Sequence, residues 1–118
     1  MNRSLFNIIG YPFWEGACKQ GSELAPQFLI ESVAAIYGYA TFPDLYMQRP
    51  ASHFDNIINS PYNAKYLQMI IDANITLRDR SYSTLCQNQI PIVIGGDHSL
   101  GLGSVAASAQ YDSNVGVI

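Results

Sequence analysis

The sequence predicts an α/β fold, with a mainly parallel sheet and helices packed on its faces. Two observations carry that expectation. Short apolar runs rich in strand-forming residues alternate with longer segments of helical period, in the order β-α-β-α-β-α-β. The run Ile90–Ile94 then stops at Gly95–Gly96 and is followed at once by Asp97–His98–Ser99. A sharp glycine turn at the end of a buried strand is where α/β sheets place their ligands.

Taken in order, Leu5 to Tyr11 reads as the first strand, closed by Pro12. Phe13 to Glu23, with Gly16 and Gly21, reads as a loop. Ala25–Pro26 opens a helix, since proline is tolerated in a first turn. Phe28, Leu29, Val33 and Ile36 supply its apolar spacing, and Gly38 offers a stop. Tyr39 to Leu45 reads as a second strand, and Pro43 places it at an edge. Tyr46 to Pro61 is polar and reads as a loop. A long helix is expected from Asn63 to about Gln87. Leu67, Ile70, Ile71, Asn74, Leu77, Arg78, Ser81 and Leu85 keep the 3.6-residue period, and Asn88 ends it. Ile90 to Ile94 is the third strand, and a further helix is expected from Leu100 to Gln110. Val115–Gly116–Val117–Ile118 begins another apolar run. From that abrupt end, residues 1–118 are expected to be the N-terminal part of one larger α/β domain, cut at the start of its fourth strand.

Composition narrows the classes of function. The 118 residues are 48% apolar, carry a net charge of −3 and include only six Lys and Arg. That supports a packed core and gives no basic surface for nucleic acid or anionic membrane. No apolar stretch is long enough to span a bilayer, and the N-terminus lacks a signal-peptide apolar region. Cys18 and Cys86 match no CxxC pattern and read as free thiols of a reducing compartment, so cytoplasm is expected.

His98 is the first candidate for chemistry, as an imidazole at a strand end could bind a transition metal through one nitrogen. Asp97 could be a ligand, an acceptor behind the ligand or a helix cap; Ser99 has the same capping preference. Gly95 and Gly96 form the turn. His53, beside Asp55 in a polar loop, reads as a surface residue. Phe13–Trp14–Glu15–Gly16 follows strand one and could line a pocket on the same edge. Gly101–Leu102–Gly103–Ser104–Val105–Ala106 matches GxGxxA, yet four residues separate it from the strand-end glycines and no acidic residue follows at the usual distance. Small residues at Gly101, Gly103, Ala106 and Ala107 are better read as allowing a helix to pack closely on the sheet.

Gly95–Gly96–Asp97–His98–Ser99 and its flank to Ser104 resemble the ureohydrolases, the arginase and agmatinase family. Asn114 to Ile118 and the opening Ile8–Ile9–Gly10–Tyr11–Pro12–Phe13 extend the similarity. Gly16, Gly21, Glu23 and Pro26 keep the spacing of that family's first loop and helix. Gly101 and Ala25 depart from the usual residues, each small for small. The resemblance implies a three-layer α-β-α fold and hydrolysis of a guanidino substrate. For an arginase that is L-arginine to L-ornithine and urea; agmatinase and formiminoglutamase activities are the alternatives. It implies two Mn2+ ions, of which His98 would bind one, with Asp97 and Ser99 supporting it. The other ligands belong to motifs beyond Ile118, so no catalytic residue is assigned within these residues. A homo-oligomer is expected of a full-length protein. A rival expectation is a truncated, non-catalytic fragment that acts only through binding, and a nucleotide site at Gly101 to Ala106 is a third.

Overall fold

The computed structural model describes residues 5–37, 46–47 and 66–118. Strand β1 (Phe6–Tyr11) leads through a one-turn 3-10 helix (Ser22–Leu24) into helix α1 (Ala25–Tyr37). A two-residue strand β2 (Tyr46–Met47), helix α2 (Leu67–Cys86) and strand β3 (Ile90–Gly95) follow. A second 3-10 turn (His98–Leu100) then enters helix α3 (Gly101–Tyr111). The sheet order is β2-β1-β3, and both pairings are parallel.

That order locates the functional edge. The chain leaves β1 to one side to form β2, then returns past β1 to form β3. Right-handed crossovers in opposite directions put their helices on opposite faces of the sheet. Helix α1 packs on β1 and β3, whereas α2 packs against α3. Strands β1 and β3 run the same way, so their carboxyl ends share one edge of the sheet, where α/β folds place their ligands. Their register ends on Tyr11 opposite Gly95. The loop after β1 and the glycine turn after β3 therefore leave the sheet side by side.

The main core joins Ile9, Tyr11 and Phe13 from β1 and its loop to Ala73 and Leu77 of α2 and to Leu100. Met69, Ile70 and Val93 pack against it. Alternation along β1 turns Asn7, Ile9 and Tyr11 to this face. Helix α2 stops as Asn88 enters the left-handed region at φ 58°, a conformation asparagine tolerates. Its amide donates to the Leu85 carbonyl, and the Gln89 amide donates to Thr84, the pattern of a Schellman cap.

Several elements differ from the expected ones. The loop from Phe13 to Glu23 contains the 3-10 turn, entered through Gly21 at φ 125°. Tyr46 and Met47, expected in a loop, pair with Ile9 and Gly10 as the edge strand. The strand expected at Tyr39 to Leu45 falls outside the described residues, as do Gly38 and the first residues of the helix expected from Asn63. In α1 the buried positions are Pro26, Ile30 and Ala34, not Phe28, Leu29 and Ile36, which are exposed. This helix is apolar on most of its circumference, so spacing alone did not select the inward face. Gly103 faces Asn74 of α2, and α3 packs mainly on α2, so the close approach is between helices and not onto the sheet. Val115–Ile118 forms no ladder among the described residues and lies exposed, because an apolar run becomes a strand only where a sheet edge supplies its hydrogen-bond partners.

Candidate functional site at the strand ends

Gly95 closes β3, and Gly96 lets the chain turn directly against the loop that follows β1. A Cβ at Gly96 would collide with the Phe13 carbonyl oxygen and stand 3.0 Å from that of Ser22. Only a glycine fits between these backbones. Phe13 is fully buried beneath the crossing, and its ring meets Tyr11 edge-on at 6.2 Å.

Asp97 follows in extended conformation as the N-cap of the His98–Leu100 turn. Its Oδ1 accepts from the Ser99 amide at 2.8 Å and from Ser99 Oγ at 2.5 Å. Its Oδ2 accepts from the Gly16 amide at 2.9 Å, across 81 residues of sequence. Three donors thus occupy the carboxylate. His98 lies at the start of the turn with its side chain exposed. A shallow cavity of about 220 Å³ opens beside it, between Val93 and Gly95 of β3 and Gly101 and Ser104 of α3.

The loop after β1 packs directly against this turn. The Ala17 amide donates to the Trp14 carbonyl at 2.8 Å, closing a tight turn around Glu15 and Gly16. Glu15 is 8% exposed, and its Oε2 accepts from the Trp14 amide at 2.9 Å. The Trp14 ring meets Tyr66, which precedes α2, edge-on at 5.4 Å. Phe13–Trp14–Glu15–Gly16 and the Asp97–His98–Ser99 turn therefore stand at one edge. The sequence signalled both segments separately; it gave no sign that the Gly16 amide is the partner of Asp97.

Among the described residues no group of three or more His, Cys, Asp or Glu is arranged to hold a metal ion. His98 supplies one imidazole, and Asp97 supplies one carboxylate that already accepts three hydrogen bonds. One imidazole and one carboxylate are fewer than the three or four protein ligands that a metal centre needs. His53 and Asp55 lie outside the described residues. Gly101 to Ala106 lies inside α3 and not at the strand-end turn, so its glycines do not form the loop of a dinucleotide fingerprint. Gly103 serves the α2–α3 contact instead: its amide donates to Asn74 Oδ1 at 2.6 Å. No described helix is long and apolar enough to cross a membrane.

The Arginase family's sequence profile matches residues 5–118. The chain belongs to the arginase family. It is 30% identical to an arginase of Brevibacillus brevis, covering all of this chain and 40% of that protein. It is 29% identical to an arginase of Staphylococcus aureus (strain COL), over 95% of this chain and 38% of that one. Arginase-1 of Xenopus laevis is also 29% identical, with 98% and 37% covered. The crystal structure of the Bacillus subtilis arginase superposes with a TM-score of 0.60 at 21% identity, over 90% of this chain and 34% of that chain. This arginase-family chain thus has an arginase-like α/β fold and spans about two-fifths of the length of the curated relatives it matches.

Proposed function

We propose that this chain contributes the first metal-binding corner of an arginase-type ureohydrolase, which converts L-arginine and water to L-ornithine and urea. The observation that carries the reading is the location of Gly95–Gly96–Asp97–His98–Ser99 at the carboxyl ends of β1 and β3 in a chain matching the Arginase family over residues 5–118. Membership of that family makes ureohydrolase chemistry the activity class.

In this reading the His98 imidazole is one ligand of a manganese pair. Bound manganese would supply a water of lowered pKa, able to act as nucleophile near neutral pH. Asp97 and Ser99 hold the turn that presents His98, and Gly95 and Gly96 let that turn pass under the β1 loop. Because one imidazole cannot fix two metal ions, the 118 residues alone are expected to release no urea and to bind Mn2+ weakly. Agmatine and formiminoglutamate are the substrates to compare with arginine. The proposed compartment is the cytoplasm, and the proposed assembly of a full-length protein is a homo-oligomer.

The test is urea release by the full-length gene product with Mn2+. Urea from L-arginine, abolished or greatly reduced in His98→Ala, is expected. No urea from arginine or agmatine, or full activity in His98→Ala, overturns the reading. Tight stoichiometric Mn2+ binding by the 118 residues in calorimetry overturns the single-corner assignment.

A further inference from the structure

We propose that Asp97 is a positioning residue that clamps the Trp14–Ala17 turn against the His98 turn, so that two loops distant in sequence form one wall of the strand-end site. Its relevance to catalysis rests on the function proposed above; the clamp itself does not.

The two oxygens of Asp97 have different work. Oδ1 takes both Ser99 donors and completes the local cap. A cap needs no more than that, as serine and asparagine caps show with a single acceptor. Oδ2 is turned the other way and holds the Gly16 amide at 2.9 Å. The contact is built on both sides. A Cβ at Gly16 would lie 2.5 Å from Ser99 Oγ and 2.6 Å from Asp97 Oδ1, so a side chain at this position would force the loops apart. The Gly16 turn is closed by the Ala17–Trp14 hydrogen bond, and Trp14 rests on Tyr66 at its other end. Gly96 against the Phe13 and Ser22 carbonyls is a second close crossing of the same two loops. Asp97 therefore fixes where the Trp14 loop stands relative to His98.

Asp97→Asn separates the two roles. The amide keeps one acceptor oxygen for Ser99 but sets an NH2 group opposite the Gly16 N–H, where two donors face each other. Gly16→Ala attacks the same contact with Asp97 intact. The folded 118-residue chain is examined by amide hydrogen exchange in ¹⁵N NMR and by acrylamide quenching of Trp14, its only tryptophan. In Asp97→Asn the Gly16 amide should exchange about tenfold faster, the effect of losing one exposed hydrogen bond to a charged group. Trp14 should become more quenchable in both variants, with the helical circular dichroism retained. Wild-type Gly16 exchange in Asp97→Asn, or wild-type Trp14 quenching in the two variants, overturns the clamp.

Mn2+ alone then reports the positioning. Broadening of the His98 ring resonances should persist in Asp97→Asn, while Mn2+-induced quenching of Trp14 falls. Equal Mn2+ quenching of Trp14 in Asp97→Asn and wild type overturns the positioning role. Absence of His98 broadening in the wild type sinks the ligand assignment and leaves the clamp to be judged by exchange, so the two failures are distinct.

Discussion

Replacing Gly103 with alanine tests whether the α2–α3 contact is set by backbone approach. An added Cβ would stand 2.6 Å from the Asn74 carbonyl oxygen and 3.2 Å from its Cα. Both belong to the backbone of α2, so relief requires one helix to move. Overpacking of this kind costs about 1–3 kcal/mol. The Gly103 N–H···Oδ1 bond to Asn74 spans the same gap and would be stretched with it, a further loss of about 1 kcal/mol. Alanine returns about 1 kcal/mol through its helix propensity. The net expectation is a loss of about 1–3 kcal/mol, or a fall of about 0.5–1.5 M in the urea midpoint at an unchanged slope of about 2 kcal/mol/M. Gly101→Ala is the matched control. Nothing lies within 4 Å of its Cβ position, and its φ of −57° is helical. It should leave stability unchanged or raise it by up to about 1 kcal/mol. Urea unfolding followed by far-ultraviolet circular dichroism reads both. If Gly103→Ala matches or exceeds the wild type, the close packing of α2 and α3 is not what the glycine is for.

Three further outcomes are expected. Asn74→Ala removes the acceptor of the Gly103 amide and should cost about 1–2 kcal/mol in the same urea assay; a neutral result would mean that water replaces the bond freely. Tyr82 has its pKa raised above 10.0, first by its hydrogen bond with Cys86 and then by the Cys86 charge. The native state therefore holds this proton more tightly, its contribution is complete below pH 10, and stability falls as pH rises from there through the folded value. Ring resonances of Tyr82 should titrate above pH 10, and Cys86→Ala should return the midpoint toward 10. Finally, Phe28 (70% exposed) and Ile36 (73%) leave α1 with an apolar outer surface. Concentration-dependent association should appear in sedimentation and weaken in Phe28→Glu; a monodisperse wild-type monomer at high concentration would contradict this.

How far the sequence carried depended on whether one residue or two segments fixed the feature. Strand β3 and its glycine turn are local: β-branched residues run into Gly95–Gly96, and nothing remote is needed to see the break. The cap at Asn88 is local as well. Helix α1 is different. With apolar residues on most of its faces, the stripe at Phe28, Leu29 and Ile36 is as regular as the buried one at Pro26, Ile30 and Ala34. The sheet chose between them, and the sheet is not written in the helix. Asn74 shows the same limit from the polar side. In the helical pattern it is an interruption of an apolar face. In the fold it receives an amide of α3, because the first turn of any helix leaves N–H groups that need an acceptor. Its partner lies 29 residues away, at a glycine that the sequence marked only as small.

The strand-end site joins both cases. His98, Asp97 and Ser99 are adjacent, so their shared turn was readable from the residues. The fourth participant, the Gly16 amide, has no side chain to announce it. A backbone donor becomes specific only when topology brings it to an acceptor, and here the β2-β1-β3 order does so by setting the ends of β1 and β3 side by side. The same topology adds the Gly16 amide to the two local Ser99 donors on the Asp97 carboxylate. Its negative charge is spent on joining the loops, which leaves His98 as the group that the turn presents outward. If His98 binds a metal as proposed, the other ligands would come from outside the described residues, whose own contribution is the junction of the two loops beside it.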